Sequence, residues 1–148
     1  MESEFRETTV GKFIFRVKVG YWYTDEGLWL APQTGAGTVR VGLSDYRQQS
    51  SGDAAFVELP AVGQVLRSGD DLANVETVKV DLALPAPFAA DVIAVNEMLA
   101  DAPELINQDP YGAGWLVELK PAAWPAPGLL DADVYLAVMT AQAQEASR

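Results

Sequence analysis

The chain contains neither cysteine nor histidine. Without cysteine there is no disulfide, no thiolate nucleophile and no cysteine zinc site. Without histidine the usual serine triad, the commonest general base near neutral pH and the commonest metal ligand are all missing. Carboxylate pairs or an activated lysine still leave room for chemistry, yet an independent enzyme is disfavoured. Positive charge is scarce as well: ten Lys and Arg stand against 21 Asp and Glu, for a net charge of −11. Residues 80–148 hold ten acidic side chains against Lys120 and Arg148 alone. A surface so negative repels phosphate backbones, which argues against nucleic acid and anionic membrane as partners. It suits docking onto basic rims of partner proteins, and equally serves solubility or a salty or alkaline habitat. No apolar run is long enough to span a bilayer. The first residues, Met1-Glu2-Ser3-Glu4-Phe5-Arg6-Glu7, lack the basic-then-apolar order of a signal peptide, so a cytoplasmic location is expected. Neither a Gly-rich phosphate loop nor an internal repeat is visible.

What is present is a run of short, β-prone segments punctuated by turn residues. At 148 residues with 49% hydrophobic side chains, one domain with a real core is expected. Residues 1–12 lack a clear period and are expected to be flexible, with the single domain running from 13 to 148. Phe13 to Val19 ends in strict alternation and reads as a strand. The aromatic-rich Tyr21-Trp22-Tyr23 and Leu28-Trp29-Leu30 read as core or cross-strand packing. A turn cluster at 32–37 makes 28–43 a hairpin. Ser44 or Asp45 is placed to cap a short helix. Strands are expected at 54–59, 91–96 and 115–119. Short helices follow at 97–102, capped by Asn96, and at 103–107, led by Pro103. A final helix at about 131–144 starts at the cap Asp131. Many short strands between turns argue a mostly β sandwich or flattened barrel with a few short helices and a C-terminal helix.

One stretch stands apart. In Val75-Glu76-Thr77-Val78-Lys79-Val80 a single lysine is presented between two valine-rich segments, which places Val78 and Lys79 near the tip of a hairpin at about 71–84. Such a lysine points into water, as most lysines do.

Glu76-Thr77-Val78-Lys79 resembles the lipoyl-attachment site of the H proteins of the glycine cleavage system. The blocks around it agree in order: Tyr23-Thr24-Asp25-Glu26 with Trp29, Val41-Gly42-Leu43-Ser44-Asp45-Tyr46, Gly52-Asp53 and Phe56-Val57-Glu58-Leu59-Pro60-Ala61-Val62-Gly63 upstream. Downstream, Val95-Asn96-Glu97, Asp101-Ala102-Pro103-Glu104-Leu105-Ile106-Asn107 and Asp109-Pro110-Tyr111-Gly112-Ala113-Gly114-Trp115-Leu116 do the same. The resemblance spans roughly residues 20–138. It departs from the family's usual pattern at Gly27 (histidine), Val80 (alanine) and Ala90 (glycine).

The resemblance implies a lipoyl-domain-like fold and a non-catalytic lipoyl-carrier domain over 13–148. Lipoate would be attached covalently to Lys79, and Glu76 would help present that lysine to the lipoylating enzyme. Glu76 is also readable as a plain solvent-facing strand carboxylate. The implied cargo is the aminomethyl group of glycine cleavage. Two alternatives stay open: a lipoate-binding protein carrying sulfur intermediates for a heterodisulfide-reductase-like system of sulfur-oxidising bacteria, and an unmodified interaction scaffold. The implied partners are the enzymes of the system served and a lipoate ligase or lipoyl transferase, with the carrier itself a monomer.

Overall fold

Short alternating segments bounded by glycine and proline cannot sustain long helices, and sheet dominates the computed structural model, which describes residues 4–147. Its strands form three sheets among the described residues. The largest has six strands in the order β3 (Trp22–Tyr23), β4 (Leu28–Gln33), β5 (Thr38–Leu43), β11 (Val117–Pro121), β10 (Ala90–Val95) and β7 (Val65–Leu66). A second sheet holds β6 (Ala54–Glu58), β8 (Asp71–Thr77) and β9 (Asp81–Pro85), and the third pairs β1 (Phe5–Val10) with β2 (Phe13–Lys18). Helices are few: α1 (Asp45–Ser51), a 3-10 turn (Glu97–Ala100), α2 (Leu105–Gln108) and α3 (Ala132–Ala146). The expected mostly β sandwich with short helices and a C-terminal helix is therefore the fold observed.

Alternation decides what is buried. In β8, Leu72 and Val75 are buried while Asp71 and Glu76 face water, and in β9 Leu82 and Leu84 are buried between exposed Asp81 and Ala83. These side chains join Leu30, Val41, Leu116 and Leu119 in the main core between the two larger sheets. A second core lies beneath α3, where Phe15, Val17, Tyr23, Trp29, Tyr135 and Met139 pack together. The aromatic segments thus serve packing as expected, except that Trp22 is on the outside.

The structure differs from the sequence reading at the amino-terminal end. Residues 5–10 are not irregular but form β1, paired in register with β2 from Phe5 opposite Lys18 to Val10 opposite Phe13. Their period is faint because β1 belongs to a two-stranded ribbon with no fully buried face. Residues 1–3 of the stretch expected to be flexible lie outside the described residues. Boundaries elsewhere move by about two residues: α2 starts at Leu105, with Glu104 in the capping position and no side-chain cap, and β11 starts at Val117. Ser44, Asn96 and Asp131 cap their helices through side-chain oxygens that accept from Arg47, Met98 and Val134 N–H groups. Proline ends β9, since Pro85 has no N–H to continue the ladder.

Candidate functional site

The hairpin β8–β9 reverses through Val78 and Lys79, both exposed. Thr77 makes the reversal possible. Its N–H donates to the Val80 carbonyl (2.8 Å), and its hydroxyl oxygen accepts from the N–H groups of Val80 (2.9 Å) and Lys79 (3.2 Å). The same hydroxyl lies 2.6 Å from the Ser51 carbonyl, to which it donates. A threonine whose side chain satisfies N–H groups two and three residues on is a side-chain turn, a motif readable in the sequence by the threonine's position before the tip. The sequence reading did not single it out.

The tip is also fastened to the rest of the molecule. The Val78 N–H donates to the Asp53 carbonyl (3.0 Å). Asp53 is held from both sides by Asn107, whose amide nitrogen donates to the Gly52 carbonyl (3.1 Å) and whose amide oxygen accepts from the Ala54 N–H (2.9 Å). Gly52 lies under the lysine: its φ is +93°, and a Cβ there would sit 3.3 Å from the Lys79 Cβ. So α1, α2 and β6 form a platform under the tip, and the backbone at Lys79 is fixed while its side chain is not.

The Lys79 amine donates only a long bond, 3.3 Å, to the Ser50 carbonyl, and no carboxylate pairs with it among the described residues. An amine without an ion-pair partner loses no charge contact on acylation. The resulting amide N–H keeps a donor for Ser50. The side chain lies at a cleft of about 270 Å³ whose other walls are largely apolar, Val10, Phe13, Phe15, Tyr46, Ala143 and Ala146 among them. A long acyl group on this nitrogen therefore fits the residues present: exposed attachment, no buried charge to strand, apolar surface beside it.

Glu76 is three residues away on β8, exposed and flanked within its sheet by its strand partners Phe56 on β6 and Asp81 on β9. It lines a different hollow, with Phe56, Glu58, Asp81 and Leu82. No group of three or more metal-ligating side chains is assembled among the described residues. No helix among them is long and apolar enough to cross a membrane.

A β scaffold whose secondary elements converge to immobilise the backbone beneath one free lysine is the build of a protein that carries a tethered group. The chain belongs to the Glycine cleavage H-protein family, whose model matches residues 21–142. It is 49% identical over 123 residues to the glycine cleavage system H protein of Mycolicibacterium smegmatis, covering 80% of this chain and 93% of that one. It is 49% identical over 107 residues to the probable glycine cleavage system H protein of Pyrococcus furiosus, covering 72% and 78%. A crystal structure of a glycine cleavage system H protein from Mycobacterium marinum superimposes with a TM-score of 0.76 at 35% identity, over 84% of this chain and 99% of that one. Proteins of this family are non-catalytic carrier subunits with lipoate covalently bound to a lysine, working with the enzymes of the glycine cleavage system. The relatives named here all bear the glycine-cleavage name, and the sulfur-oxidation alternative finds no support among them.

Proposed function

We propose that Lys79 is the lipoyl-bearing residue and that residues 13–148 work as one carrier domain, shuttling the aminomethyl group between enzymes of glycine cleavage. The observation that carries this reading is a backbone pinned by Thr77 and Asp53 beneath an exposed lysine amine that makes one long bond and no ion pair among the described residues. The dithiolane of bound lipoate supplies the group-transfer and redox chemistry. The protein's own share is positional. Lysine contributes a long stem, and the hairpin holds its root through the Thr77 and Asp53 bonds. Loading requires that the neutral amine attack an activated lipoyl carbonyl, giving an amide and releasing the activating group. We assign Glu76 to presenting Lys79 to the ligase or transferase that does this, since it is exposed on the same hairpin. In this reading the carrier is a cytoplasmic monomer whose acidic surface meets basic rims of its partners, with no nucleic acid or membrane partner.

The test is the intact mass of the protein from its native host, with fragmentation to locate any adduct. A lipoyl-sized increment on Lys79 is expected, absent from Lys79→Ala, and an aminomethyl mass on top of it under glycine turnover. Unmodified Lys79 in metabolising cells would replace the carrier with an interaction scaffold.

A further inference from the structure

The three-stranded sheet β6–β8–β9 packs one face on the main core and leaves the other bare. Cross-strand register sets the bare face in two rows: Phe56, Glu76 and Asp81, then Glu58, Asn74 and Ala83. Of these only Asn74 is partly covered; the rest are exposed, Phe56 to 51%. We propose that this face, with Phe56 and Asp81 on either side of Glu76, is the surface by which the enzyme that loads Lys79 recognises the carrier, meeting the carboxylates with a basic rim and Phe56 with an apolar socket. The inference rests on the loading role given to Glu76 above and extends it to the strands on both sides.

The face works against its own fold. Glu76 and Asp81 stand directly opposite each other on neighbouring strands, and like charges so placed destabilise a sheet. Neither row holds a Lys or Arg, and Glu58, Glu76 and Asp81 make no ion pair among the described residues. Lys79 does not relieve them, since its amine turns to the Ser50 carbonyl. A local rule broken without compensation inside the fold marks a functional surface, and a cationic partner supplies what is missing. Phe56 gives the same face an apolar anchor, an aromatic ring beside a hollow of about 340 Å³ that Glu58, Glu76 and Asp81 also line.

Reach decides which partner this is. A lysine stem has only about four methylenes, so before acylation the activated lipoyl carbonyl must be brought to the hairpin tip itself. The enzyme that brings it closes over whatever flanks the tip, and Glu76 and Asp81 flank it on β8 and β9. Once the arm is attached, later enzymes meet the dithiolane farther from the sheet.

The test loads the full-length carrier with whichever of lipoate ligase or lipoyl transferase modifies the parent, following the mass increment on Lys79 as salt is raised. The parent's kcat/KM is expected to fall with salt. Asp81→Asn is expected to raise KM about tenfold at low salt, leave kcat unchanged and weaken the salt dependence, with Tm at or above the parent's because the opposed pair is relieved. Phe56→Ser is expected to raise KM while keeping the parent's salt dependence. Asp91→Asn, which removes one charge from the six-stranded sheet, is expected to load like the parent. Parent-like KM in both Asp81→Asn and Phe56→Ser would overturn the inference, as would equal slowing by Asp91→Asn, which would reduce the effect to net charge. Variants that load normally but turn over glycine more slowly once lipoylated would overturn it too, by giving the face to the cleavage enzymes. In each of these cases lipoate on Lys79 keeps the carrier reading. A parent that neither enzyme loads at Lys79 removes both.

Discussion

Thr77 has one hydroxyl proton and two lone pairs, and the tip uses all of them: two N–H groups donate to its oxygen and a carbonyl of α1 accepts from it. Thr77→Val keeps the shape and removes these bonds, leaving the tip amides to water. Each neutral bond is worth about 0.5–1.5 kcal/mol net, so the variant is expected to lose about 1–2 kcal/mol in urea unfolding and to be lipoylated more slowly. Gly52 is constrained differently. At φ +93° and ψ −177° it occupies a backbone region essentially confined to glycine, and Gly52→Ala is expected to cost about 1–3 kcal/mol, read as a fall in Tm. Lys79→Ala, by contrast, should leave stability within about 0.5 kcal/mol of the parent, because the side chain is exposed and its one bond is long. Gly27 is constrained in the same way as Gly52: its φ is +87°, and a Cβ would come within 2.9 Å of the Arg47 side chain, so this position as folded has no room for a larger residue.

Among the elements, α2 is short but holds the site together through one residue. Asn107 bonds to Gly52, Ala54 and the Gln48 side chain, thereby fixing Asp53, whose carbonyl receives the Val78 N–H. Asn107→Ala leaves those backbone groups partly buried and unpaired, at an expected cost of about 1–3 kcal/mol. Hydrogen exchange should then quicken at Val78, two bonds away from the substitution, while β10 and β11 remain protected. Asn107 was visible in the sequence only as a member of a family block. Its support role could not be read there, because it depends on bringing together residues more than fifty positions apart. The lysine hairpin was legible for the opposite reason: β8 and β9 are adjacent in sequence, alternate cleanly and leave only Val78 to Val80 for the turn. Helix starts with Ser, Asn or Asp caps were equally legible, since each cap acts within three residues. The β1–β2 ribbon was half legible. The alternation of β2 stands out, but β1 takes its burial from α3 and Tyr111, and nothing local announces that.

The molecule as a whole has two cores, and the one beneath α3 contains a chemical liability that the main core lacks. Tyr23 and Tyr135 are fully buried there and stacked at 4.6 Å, and partly buried Tyr111 borders them. Burial disfavours the phenolate, which raises all three above the ordinary value of 10.0, Tyr135 up to about 12. In the unfolded chain these phenols ionise near 10. Below that pH both states keep the proton, and the full stability is present. Between the unfolded value and the raised folded one, the unfolded state has released protons that the folded state retains, so stability falls as pH rises. Each such group removes about 1.4 kcal/mol per pH unit across its window. The expected outcome is flat stability up to about pH 10 and a steep decline toward 12, with tyrosinate absorbance of the three buried rings appearing together with loss of the helical circular dichroism of α3. Tyr135→Phe keeps the ring stack, gives up the bond between its hydroxyl and Ser44 Oγ (2.8 Å), and should flatten the decline while lowering stability near neutrality. Tyrosinate that forms well before unfolding, or a decline that Tyr135→Phe leaves as steep, would show that the aromatic core beneath α3 does not set the alkaline limit of the fold.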